Sequence, residues 1–118
     1  MNQNGYGLKI NKDVISRMAE TAAIEVNGVA GIAKAPLDIK DPLNAKGTVV
    51  HSDNGALVLD VYIDVTEDAK VRQVAEEVQN NVKDKIQAMT GSPVATVNVF
   101  VADIVSAKPT VETEEESV

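Results

Sequence analysis

Residues 71–101 read VRQVAEEVQNNVKDKIQAMTGSPVATVNVFV, and their change of period decides the fold. Apolar residues recur at Val71, Val74, Ala75, Val78, Val82, Ile86 and Met89, the three-and-four spacing of one helical face. Gln73, Glu76, Glu77, Asn80, Asn81 and Lys83 fall on the other side. The pattern stops at Thr90-Gly91-Ser92-Pro93, where Gly91 suits the left-handed position after a helix and Pro93 cannot extend one. From Val94 the period becomes two: Val97, Val99 and Val101 alternate with Thr96, Asn98 and Phe100, as in a strand.

Upstream, the same reasoning gives the other elements. Residues 6–10 read as a short edge strand. Asn11 is a good N-cap and Asp13 favours the positive end of a helix over residues 12–26, closed by Asn27-Gly28. Val14, Met18, Ala22 and Val26 form its stripe, beside Ile15 and Ala19. Residues 29–33 suit a short strand, and residues 36–46 a loop broken by Pro36 and Asp41-Pro42. Residues 48–51 resume an extended pattern, and Asn54-Gly55 is the favoured pair for a tight hairpin.

Residues 56–66 then alternate strictly. Leu57, Leu59, Val61, Ile63 and Val65 face one way; Val58, Asp60, Tyr62 and Asp64 face the other. Asp68 is placed to cap the long helix. Strands on either side of a helix pair in parallel with a right-handed crossover, whereas the hairpin pairs antiparallel. The fold expected is α+β, a small mixed β-sheet with two helices in the order β-α-β-β-β-α-β. Residues 1–107 form one domain. Residues 108–118, with Glu112, Glu114, Glu115 and Glu116, are expected to be a disordered acidic tail.

Composition bounds the function. The 118 residues contain no cysteine, which removes disulfides, thiolate metal sites and cysteine nucleophiles. Net charge is −7, against the basic face that nucleic acid or an anionic membrane requires. The N-terminus shows no signal peptide, and no window reaches the roughly 18 apolar residues of a membrane-spanning helix.

Candidate chemistry is sparse. His51, the one histidine, has no second histidine or cysteine to complete a zinc site, and its position beside a hairpin suits a surface residue. Asp60 and Asp64 stand about 13 Å apart along one strand, too far for a glycosidase pair. With Glu67 and Asp68 they compose at most a weak oxygen-ligand cation site, and the plainer reading is a solvated sheet face with a helix cap. Gly28-Val29-Ala30-Gly31 has the spacing of the loop that clamps single strands in KH domains. Here that spacing lies in an acidic chain and leads into apolar residues, as a helix stop and strand entry would. No catalytic, cofactor-binding or metal-ligating residue is assigned, and no cofactor is expected.

The informative oddity is the second sheet face, where Val58, Tyr62 and Phe100 are apolar among Asp60, Asp64, Thr96 and Asn98. Either the first helix covers this face, or it is open to a partner. These three residues are the candidate interaction face.

The chain as a whole resembles the alkaline shock protein family of small bacterial stress proteins. The likeness is carried by residues 7–11 (GLKIN), Val14-Ile15, and Ala19 onward to Val26-Asn27-Gly28-Val29. It continues through Gly47, residues 57–63 (LVLDVYI), Val74, Val78-Gln79, Val82, Met89-Thr90-Gly91 and residues 97–101 (VNVFV). It covers about residues 5–105. One departure is Thr66-Glu67-Asp68-Ala69, where members often carry an aromatic-Gly step.

The resemblance implies a non-enzymatic cytoplasmic protein of cell-envelope homeostasis in Gram-positive bacteria. Some members are held at the membrane by a partner protein and self-associate; others are tied to fatty-acid metabolism. A protein partner, self-association or both are therefore expected, and no nucleic acid. The alternative is a small nucleic-acid-binding module, carried by Gly28 and Gly31. A small-molecule or enzymatic domain would rest on His51 and the acidic strand face alone.

Overall fold

A computed structural model describes residues 10–34 and 47–106. The elements are α1 (Lys12–Ile24), β1 (Val29–Ile32), β2 (Thr48–Asp53), β3 (Ala56–Thr66), α2 (Val71–Thr90) and β4 (Val94–Val105). The strand expected at residues 6–10, the loop at 36–46 and the tail at 108–118 fall wholly or almost wholly outside the described residues. Ile10, the one described residue of that first strand, is not in a strand.

Helix α1 begins where its sequence demands. The Asn11 side chain accepts the Asp13 N–H at 2.7 Å, satisfying a donor that the first turn cannot pair. Its buried residues are small: Ile15, Ser16, Ala19, Ala22 and Ala23. Small side chains bring α1 close to its neighbours. Ser16 Oγ donates to the Thr48 carbonyl of β2 at 3.1 Å, and Asn81 Nδ2 of α2 donates to the Ala22 carbonyl at 2.7 Å.

Helix α2 buries Val74, Val78, Val82 and Ile86, each contributing about 1.5–3 kcal/mol of transfer free energy before chain entropy. Gly91 ends it in the left-handed conformation at φ 73°, and its N–H donates to the Gln87 carbonyl. Gln87 also ties the helix end to the next strand, its Oε1 accepting the Val94 N–H at 3.1 Å.

Two details of α2 differ from expectation. Lys70, not Asp68, occupies the N-cap, and no side chain bonds there. The apolar stripe is also shorter, since Met89 is 63% exposed and Val71 37%. Both sit in terminal turns, and only the central turns press on the sheet.

The sheet is mixed. β1 and β2 pair antiparallel with β3, and β4 pairs parallel with it. Asn54 (φ 53°) and Gly55 (φ 84°) both take positive φ, the geometry of a primed hairpin turn. β2 spans Ala56 to Val61 of β3, and β1 spans Ile63 to Val65. They lie end to end along one edge of β3 and meet at Tyr62, whose N–H donates to Gly47 and whose carbonyl accepts from Ala33. β4 runs along the whole opposite edge, from Leu57 to Thr66.

Leu57, Leu59, Val61, Ile63 and Val65 form one core with both helices. That placement answers the open question about α1. It packs on the same side as α2, against the buried side of β2, and leaves the Val58/Tyr62 side opposite both helices.

Candidate interaction face

The second face of the sheet is built by register. Tyr62 of β3 pairs with Phe100 of β4, and Val58 pairs with Thr96. Parallel in-register strands set like-facing side chains side by side. The Tyr62 and Phe100 rings accordingly stack, with centroids 4.7 Å apart and planes 15° apart. Such a pair is worth about 0.5–1.5 kcal/mol beyond its buried area. Phe100 is nevertheless 43% exposed, while Val58 and Tyr62 are half-buried. An exposed phenylalanine on an unpacked sheet face is costly in water unless something covers it.

Polar groups frame the rings. Asp60, next but one to Tyr62, takes His51 Nε2 from β2 at 3.2 Å on Oδ2 and Asn98 Nδ2 from β4 at 2.9 Å on Oδ1. One carboxylate thus links three strands across the face. Its oxygens are engaged in a structural row, and among the described residues no three His, Asp or Glu side chains converge to hold a metal. Asp64 stands opposite Asp103, two carboxylates at the rim.

The His51–Asp60–Asn98 row escaped sequence reading, although its signal was present. A two-residue Asn-Gly turn pairs Asp53 with Ala56, which sets His51 opposite Val58 and diagonal to Asp60. Asp103 escaped for a different reason. The strand register slips between Val101 and Asp103, so one extra residue turns the Asp103 side to this face. Alternation counted from Val97 cannot show a bulge.

The other singled-out residues lie elsewhere. Gly28 has φ 98° and its carbonyl accepts the Thr66 N–H, while Gly31 is in β1. The Gly-x-x-Gly spacing therefore runs from helix into strand rather than between two helices. The corner at residues 66–69 borders a shallow cleft lined by Asn27, Lys70, Gln73 and Glu77. On the far side of the helices, Glu25 bonds Lys85 Nζ at 2.8 Å and Asn81 Nδ2 at 3.2 Å. The Lys85 bond, then that of Asn81, holds its carboxyl below the ordinary glutamate range.

Comparison with known proteins accords with this architecture. The family model of alkaline shock protein 23, of cell envelope-related function, matches residues 1–106. YloU of Bacillus subtilis (strain 168) is 30% identical over 113 residues, covering 88% of this chain and 93% of its own. Spy1614 of Streptococcus pyogenes serotype M6 is 30% identical over 105 residues, covering 82% and 86%. Among solved structures, MamM-CTD superposes with a TM-score of 0.50 at 16% identity, over 79% of this chain and 99% of that one. At that identity the likeness concerns the fold alone. Among the described residues no helix is long and apolar enough to cross a membrane.

Proposed function

This chain belongs to the family of alkaline shock protein 23, of cell envelope-related function, and from that premise we propose that it is a non-enzymatic structural or adaptor protein. It acts by self-association and protein–protein contacts in cell-envelope homeostasis, from the cytoplasmic side, and reaches the membrane through a partner. The observation that carries this reading is the Tyr62–Phe100 stack. It is an aromatic pair set on the sheet face opposite both helices, with Phe100 43% exposed. Aromatic anchors dominate the energy of many interfaces, and charged groups such as Asp60, Asp64 and Asp103 suit a rim.

The test is the double variant Tyr62→Ser with Phe100→Ser in the full chain. Circular dichroism and thermal melting report the fold, and light scattering the mass. The variant is expected to stay folded, because the helix-side core is untouched, and to lose self-association. A variant that stays folded and keeps the wild-type mass would remove this face from the function.

A further inference from the structure

Among the described residues, strand β4 is the long border of the sheet. Among the described residues it pairs with β3 alone, so its outer N–H and C=O groups have no strand partner. The opposite border is short and broken, made of the four residues of β1 and the six of β2. Native proteins blunt such borders with charges, proline or brevity, since an open edge recruits any strand that fits it.

Between its two register slips β4 lacks those protections, and its one charged residue, Asp103, lies beyond them. The strand has twelve residues, and residues 86–102 contain no Asp, Glu, Lys or Arg in a chain that is 25% charged. No proline interrupts β4. Register slips near Ala95 and Ala102 bound a regular run, Thr96 to Val101. Apolar exposure also collects here: Phe100 is 43% exposed, Ile104 57%, and Val99 and Val101 are only half-buried. Phe100 and Val99 face opposite sides of the sheet. A helix laid on one face would cover only one of them, whereas an added strand flanks both.

We propose that β4 is the assembly edge, to which a second copy of this chain adds its own β4 antiparallel about a two-fold axis at Val99. The inference rests on the self-association reading and names its geometry. A second copy is the occupant because the strand complements itself. With the axis at Val99, Val97 meets Val101 and Val99 meets its own counterpart on the helix side, an all-valine ladder. On the other side Asn98 meets Phe100, which brings the two Tyr62–Phe100 stacks to one face of a continuous sheet. Directly opposite residues share a face in an antiparallel pair, so both patterns hold together. Two chains of net charge −7 repel, and this charge-free run is where they approach without setting like charges opposite. An isologous contact of this kind is closed by its own symmetry.

The experiment uses three variants of the full chain. Because the chain has no cysteine, Val99→Cys reports the axis directly: mild oxidation is expected to yield a disulfide-linked dimer, and Ser52→Cys on β2 at least tenfold less. The double variant Thr96→Lys with Ala102→Lys places lysines at two exposed positions of the edge and leaves both rings in place. It makes the net charge less negative, so dissociation cannot come from general repulsion. It is expected to melt like the wild type and to associate at least tenfold more weakly by light scattering. Equal cross-linking from Ser52→Cys would overturn the inference. So would undiminished association of the lysine variant, and in that case a separate effect of Tyr62→Ser with Phe100→Ser would leave the functional reading standing. A wild-type chain that stays monomeric at every concentration would overturn both. If the lysine variant unfolds, the Val99→Cys and Ser52→Cys comparison decides alone.

Discussion

At the scale of single residues, Gly28 combines a close approach of its neighbours with a left-handed backbone. A Cβ built there would lie 2.6 Å from Val74 Cγ2 and 3.1 Å from Ala69 Cβ, with φ at +98°. Gly91 also takes positive φ, but a Cβ there meets nothing within 4 Å. Gly91→Ala therefore costs only backbone strain, about 1 kcal/mol. Gly28→Ala adds a steric clash at the start of α2 and is expected to cost about 2–4 kcal/mol. Comparing the two by chemical denaturation separates strain from packing. Glu25 gives a pH-dependent counterpart. Its lowered carboxyl contributes stability above the ordinary glutamate range, and that contribution disappears as pH falls through the lowered value. The group is exposed, so the effect is small and salt-screened. Glu25→Gln should lower neutral stability slightly at low ionic strength and leave stability in acid, below the lowered value, nearly unchanged, which flattens the acid limb of the profile.

At the scale of elements, α2 is the lid of the core. Val78 is completely buried at its centre, between Val74 and Val82. Val78→Asp forces an unpaired carboxylate into that layer or expels the helix, and should destabilise by more than about 3 kcal/mol. A melting temperature within a few degrees of wild type would contradict this packing. β3 is the complementary element, among the described residues the only strand bonded along both edges. Its alternation of buried and half-buried residues is strict from Ala56 to Thr66. Both faces of the sheet hang on it: Val58, Asp60 and Tyr62 on one, and the helix-packed aliphatics on the other.

At the scale of the whole molecule, the structure separates a closed side from an open one. The core runs from Ile15 to Val97 and joins both helices to one sheet face. All its residues precede the acidic segment, so removing residues 108–118 is expected to leave the melting temperature and circular dichroism spectrum nearly unchanged. A large loss of stability would show that this segment docks on the domain. The open side and the β4 edge meet at Phe100, which belongs to both. A small chain with little aromatic mass has placed two of its three aromatic residues there. Under the proposed self-association, that position serves contact with a second copy.

The elements themselves were legible because local physics sets them. Asn11 caps, Gly91 terminates, Asn54-Gly55 turns, and periods of 3.6 and 2 identify the helices and strands. The alternation in residues 56–66 separated the face of Leu59 from the face of Tyr62, and the intervening helix implied that β4 lies parallel to β3. Sequence alone could not choose which face α1 covers, since an amphipathic stripe states that a helix packs but not where. Tertiary structure decided that through the Ser16–Thr48 bond and the shared core. It also decided which ends of α2 stay bare, how Asp60 gathers His51 and Asn98, and where the register of β4 slips. The reason is common to all four. Periodicity records which side of an element is apolar, while the partner, the register and the edge left over depend on contacts between residues far apart in the chain.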